Sequence, residues 1–187
     1  MSGETAEQYR RAIDSFGARV HAVKDDQWHL PTPCTEWDVH ALVNHLVYEM
    51  RWAVPLFQGA TIEEVGDRFE GDLLGDDPRS AWDDAAKEAA AATPADWERL
   101  VHLSFGDVPG SEYAMQLHAD LLIHGWDLAR AVGGDERLDP ELVGFCSTWF
   151  REREEMYRAG GSIGPRPELP EGVDAQTELL AAFGRRA

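Results

Sequence analysis

The run Leu117-His118-Ala119-Asp120-Leu121-Leu122-Ile123-His124-Gly125-Trp126-Asp127-Leu128 decides how this chain folds. Residues four apart on a helix lie on one face, about a turn from each other. Asp120 and His124 have that spacing, and they share their face with Leu117, Leu121, Leu128 and Ala131. The pattern predicts a helix whose apolar side carries a carboxylate and an imidazole toward the interior. Burying a lone carboxylate costs roughly several kcal/mol unless it is protonated, paired or bound to a cation. A divalent metal held inside a helical bundle would meet that cost, and so would an ordinary ion pair between the two residues.

The rest of the chain reads as helices around this one. Residues 4–24 carry Tyr9, Ile13, Phe16 and Val20 at spacings of three and four, which predicts a first helix. The two prolines of His29-Leu30-Pro31-Thr32-Pro33-Cys34 exclude a continuous helix there. Thr35 then reads as an N-cap, with Asp38 three residues on in the manner of a capping box. A second helix is expected over 36–58, with the stripe Val39, Leu42, Val43, Leu46, Val47, Met50 and Val54. One helical turn is expected at Ile62–Val65 within a glycine-rich connection, and a third helix over 78–92, where Pro78 suits a first turn.

Residues 99–105 alternate and read as extended, closed by a turn at 106–110. A fourth helix over 111–132 stops at Gly133-Gly134, and a fifth over 140–158 stops at Gly160-Gly161. Residues 160–187 form a Gly/Pro-rich tail with a short final helix at 174–183. Mostly helical elements with short connections predict an all-α fold, a single domain built as an antiparallel bundle of four long helices with additions.

Composition narrows the function classes. The 187 residues carry a formal net charge of −18, with 43% hydrophobic and 28% charged residues. A surface that acidic repels phosphate backbones, which argues against a nucleic-acid or anionic-membrane partner and otherwise serves solubility. The two cysteines, Cys34 and Cys146, form no disulfide framework. No apolar run spans a membrane and the first residues lack a signal-peptide core, so the expected location is the cytoplasm.

Asp120 and His124 need a third ligand from another helix, and His45 borders the apolar stripe of the second one. Two histidines and one carboxylate are a common ligand set for catalytic zinc, and they also suit nickel or non-haem iron. Glu49, four residues after His45, is a rival carboxylate ligand. His118 is better placed to line the cavity's edge than to join the same metal. His40 and Glu36 read as a surface pair. Cys34 reads as part of a structural entry to the helix, with no histidine base evident beside it. Trp28, Trp37 and Trp126 read as core and cavity walls. Asp127 reads as an ion-pair partner of Arg130, or alternatively as an acceptor that orients a ligand histidine.

Two motifs in order then carry a family resemblance. They are Trp28-x-x-Pro31-Thr32-Pro33-Cys34-x-x-Trp37-x-Val39-x-x-Leu42-x-x-His45 and Asp120-x3-His124-x-Trp126-Asp127-Leu128-Ala129, followed by a tail ending Asp174-x4-Leu179-Leu180-Ala181-x2-Gly184-Arg185. The chain resembles the actinobacterial branch of the DinB-like superfamily, and in particular the metal-binding N-terminal domain of mycothiol-dependent maleylpyruvate isomerases. That resemblance implies a four-helix bundle with a divalent metal held by His45, Asp120 and His124. The isomerases place a glutamate where this chain has Asp120. They also carry a further C-terminal domain that contributes to the active site, so the resemblance does not extend to maleylpyruvate as substrate. The function expected is a metal-dependent transferase or isomerase that uses a small thiol such as mycothiol on a small electrophile. The alternative is a non-catalytic metal- or ligand-binding module; a homodimer is compatible with either.

Overall fold

A computed structural model of the protein describes residues 2–187, which are mostly helical. The described residues form two compact units, 2–134 and 135–187, each described by itself.

The first unit holds α1 (Ser2–Ala22), α2 (Val39–Phe57), the single turn α3 (Ile62–Val65), α4 (Pro78–Ala91), strands β1 (Leu100–Leu103) and β2 (Gly106–Pro109), and α5 (Gly110–Val132). Helix α1 packs on α5 and α4, and α2 packs on α4 and α5. The stripe expected on the second helix is the face buried: Val39, Leu42, Val43, Leu46, Val47 and Met50 are inaccessible to solvent, and Val54 at its end is half-buried. Leu117, Leu121 and Leu128 of α5 join the same core, as do Tyr9, Ile13, Phe16 and Val20 of α1. Gly17 allows α1 and α4 to meet closely, because a Cβ there would lie 2.7 Å from Nε1 of Trp82. The Trp82 ring lies 4.7 Å from that of Phe16.

The entry to α2 differs from the sequence reading. The cap is Asp38 rather than Thr35, and its carboxylate accepts from the Ala41 N–H at 2.8 Å. Residues 30–39 fold back on themselves instead of starting the helix. Val39 N–H donates to the Leu30 carbonyl at 3.0 Å, and Pro31 bridges Asp38. The Thr32 hydroxyl lies 2.8 Å from the Trp37 carbonyl and accepts from Cys34 N–H at 3.1 Å. This self-bonded loop consumes the residues that a capping box at Thr35 would have placed in the first helical turn.

The alternating segment is the first strand of a hairpin. Leu100–Leu103 pairs antiparallel with Gly106–Pro109, so most of the expected turn at 106–110 is the second strand. Positive φ at Gly106 (+133°) lets the chain reverse at that point. Helix α5 ends on Gly133 in the left-handed region, whose N–H reaches back to the carbonyls of Ala129 and Arg130.

The second unit contains α6 (Pro140–Phe150), α7 (Glu154–Ala159) and α8 (Ala175–Ala182). The single helix expected over 140–158 is broken by turns at 151–153. Helices α6 and α8 pack together, and the Phe150 and Phe183 rings stack at 3.8 Å. Arg166 ties Glu154 to Glu178 with contacts of 2.8 and 2.6 Å. Among the described residues, no helix is long and apolar enough to cross a membrane.

Candidate metal centre

Helices α2 and α5 bring His45, Asp120 and His124 together. Nε2 of His45 lies 3.3 Å from Oδ2 of Asp120, and Nε2 of His124 lies 3.8 Å from Oδ1 of the same carboxylate. One potential ligand atom from each of the three lies within 4.8 Å of the others. Tetrahedral zinc bonded to nitrogen and oxygen at its usual lengths spaces its ligands by about 3.4 Å. The donor set therefore fits a divalent cation in type and in spacing.

Asp120 is less buried than the apolar pattern of α5 predicts. Its side chain is 42% exposed, whereas that of His124 is 10% exposed. The carboxylate sits at the open edge of the site, so solvent reduces the burial cost assigned to it from sequence. The fully buried carboxylate is Asp127, about two turns further along, with 0% exposure.

The surroundings of the three residues are aromatic on one side. The Trp37 ring lies 4.7 Å from that of His45 and 5.6 Å from that of His124, between centroids. The folded loop before α2 thus supplies a wall to the site. A cavity of about 330 Å³ occupies the next turns of α2 and α5, lined by Glu49, Trp52, Tyr113 and Gln116 together with Leu103 and Phe105 of the hairpin. Burial and the neighbouring Asp120 push the carboxyl of Glu49 up to about 7, against the opposing pull of His45. Desolvation works against a charged His45, but its hydrogen bond and charge contact with Asp120, with Glu49 adding to them, raise its pKa overall.

The remaining sequence candidates fall into different places. His118 is fully buried, with Nδ1 3.3 Å from the Gln8 carbonyl, and it belongs to no ligand group with the three. His40 contacts Asp72 at 3.7 Å. Asp127 meets His124, whose Nδ1 lies 3.0 Å from its Oδ2. Cys34 does have a histidine neighbour, contrary to the expectation from sequence. Its Sγ lies 3.7 Å from Nδ1 of His124 and 3.3 Å from Oδ2 of Asp127. Ninety residues separate Cys34 from His124, so local spacing carries no sign that they meet.

Residues 9–129 match the family described as the mycothiol maleylpyruvate isomerase N-terminal domain, and the chain belongs to that family. The matched span includes His45, Asp120 and His124 as well as Cys34 and Asp127. The chain is also similar to two uncharacterised proteins of Mycobacterium tuberculosis, one from strain CDC 1551 and one from strain H37Rv. Each is 35% identical over 165 residues, covering 84% of this chain and 79% of the relative. No solved structure matches the chain.

Proposed function

We propose that this protein binds a divalent metal through His45, Asp120 and His124 and catalyses a thiol-dependent transfer or isomerisation on a small electrophile. We further propose that α1, α2, α4 and α5 constitute the four-helix bundle of the DinB-like superfamily. The observation that carries the reading is the convergence of three donors from α2 and α5 at ligand spacing, in a chain of a family named for mycothiol.

The roles of the residues follow from their positions. His124 offers Nε2 to the site while its Nδ1–H donates to Asp127, which holds the ring in one orientation and one tautomer. His45 is steadied by the Trp37 ring, and Asp120 brings negative charge at the open edge. A zinc ion bound there, with nickel or iron(II) as alternatives, would act as a Lewis acid that favours the thiolate form of a small thiol such as mycothiol. The cavity beside Glu49 and Trp52 is sized for a small molecule. Three ligands and an exposed Asp120 favour an open, reactive site over the closed four-ligand site of a non-catalytic module.

The test is elemental analysis of protein purified without chelators, followed by calorimetry with mycothiol. Near-stoichiometric metal in the wild type that falls in His45→Ala and His124→Ala is expected, with thiol binding only to the loaded protein. Metal-free protein that refuses added zinc, or thiol binding indifferent to metal, would overturn the reading.

A further inference from the structure

His124 presents its two ring nitrogens to different partners. Nε2 faces Asp120, whereas Nδ1 faces Asp127 and Cys34. The second side is itself a donor group: Sγ of Cys34, Nδ1 of His124 and Oδ2 of Asp127 are mutually within ligand distance. The three edges are 3.7, 3.3 and 3.0 Å. A tetrahedral zinc with its usual bonds to sulfur, nitrogen and oxygen has edges of about 3.4–3.6 Å, so the group needs shifts of only a few tenths of an ångström. Asp127 has no solvent exposure and aims its carboxylate into this group. The sulfur is held there by the Thr32-bonded loop, which fixes the backbone on both sides of Cys34. Thiolate, imidazole and carboxylate together suit a borderline or soft divalent cation better than a hard one.

We propose that Cys34, His124 and Asp127 form a second cation site, back to back with the first, that takes a thiophilic divalent cation such as cadmium. It draws on the reading above only in that both sites use His124. Binding releases the Cys34 proton to solvent and moves the ring proton of His124 from Nδ1 to Nε2. A neutral imidazole has one lone pair, so a cation at Cys34 withdraws His124 from His45 and Asp120. The two sites are therefore alternatives, and a thiophilic cation displaces the ring from the first.

The experiment is a cadmium titration of the metal-free full-length protein, followed by the ultraviolet thiolate-to-cadmium absorption. The band is expected to rise to one equivalent in the wild type, Cys146→Ser and His45→Ala. It is expected to vanish in Cys34→Ser, and to need at least about tenfold more cadmium in the isosteric Asp127→Asn. Unchanged circular dichroism and melting temperature would show that Cys34→Ser is folded. No band in the wild type, a band that survives in Cys34→Ser, or one lost in Cys146→Ser would overturn the proposal. The first site is judged separately, by zinc calorimetry of Cys34→Ser with and without His45→Ala. Loss of zinc binding in the double variant supports the His45 site; retention overturns that reading and leaves the cadmium result standing.

Discussion

Asp127, with no exposure to solvent, accepts a hydrogen bond from Nδ1 of His124 at 3.0 Å, while Asp120 on the same helix meets the ring's other nitrogen at 3.8 Å. The two carboxylates are separated by seven residues, about two turns of α5, and His124 lies between them in sequence. One carboxylate lies against each nitrogen of the ring.

That division predicts different losses from the two carboxylates. Asp127→Asn keeps the shape of the side chain but removes the charge that holds the ring. Zinc affinity at the His45 site is expected to fall about 10–100-fold, with the fold retained. Competition calorimetry against a chelator of known affinity would measure it. A variant with wild-type affinity would remove the orienting role.

Asp120 is the carboxylate of the candidate site. A glutamate side chain is one methylene longer, and the carboxylate of Asp120 already sits at an exposed edge with room to extend. Asp120→Glu is expected to bind zinc within about tenfold of the wild type, whereas Asp120→Ala, left with two protein ligands, loses far more. Equal losses in the two variants would show that reach, and not charge, controls the position.

The packing of α1 on α4 sets a steric prediction. Gly17→Ala would place its Cβ 2.7 Å from Nε1 of Trp82, a side chain wedged in the core and unable to swing clear. A loss of about 1–3 kcal/mol in unfolding free energy is expected, read from urea denaturation with an unchanged slope. Gly3→Ala, where nothing lies within 4 Å, is the matched control and is expected to cost little.

Much of this arrangement was legible in the chain because helical spacing is a local signal. The stripes of α1 and α2 and the Asp120/His124 pair follow from a period of 3.6 residues, and the structure buries the predicted hydrophobic faces. The loop at 30–38 departs from the helix start that its sequence suggests, because Thr32, Cys34 and Trp37 bond through the loop's own backbone, and that competition with helix capping has no periodic signature. Only the first strand of the hairpin is legible, since Gly106-Asp107-Val108-Pro109 looks like a turn until Leu100–Leu103 is there to pair with it. The neighbours of Cys34 could not be found by spacing at all, because that contact spans 90 residues. Asp120 was expected inside because its helical neighbours are apolar, but a helix face cannot show where the facing helix leaves a gap.

Glu49 and His45 give the metal-free protein a pH dependence whose sign follows from their shifts. The Glu49 carboxyl is raised in the folded state to about 7, chiefly by burial and then by Asp120, from an ordinary value of 4.5. The folded state therefore holds this proton more tightly than the unfolded chain does. Its stabilising effect is fully present below pH 4.5 and is lost as the pH rises toward 7. His45 is also raised, its contacts with Asp120 and Glu49 outweighing desolvation, so its contribution is present below 6.5 and fades above that value. Both groups make the metal-free fold weaker at pH 8 than at pH 5, by on the order of 2 kcal/mol for Glu49. Glu49→Gln, which cannot ionise, is expected to flatten that decline without abolishing it. Zinc should act in the opposite direction, because it competes with protons for His45 and the stabilisation it brings grows with pH. Melting curves across that pH range, with chelator and with saturating zinc, would check both slopes. A metal-free protein that grows more stable from pH 5 to pH 8, in the wild type but not in Glu49→Gln, would reverse the sign assigned to Glu49.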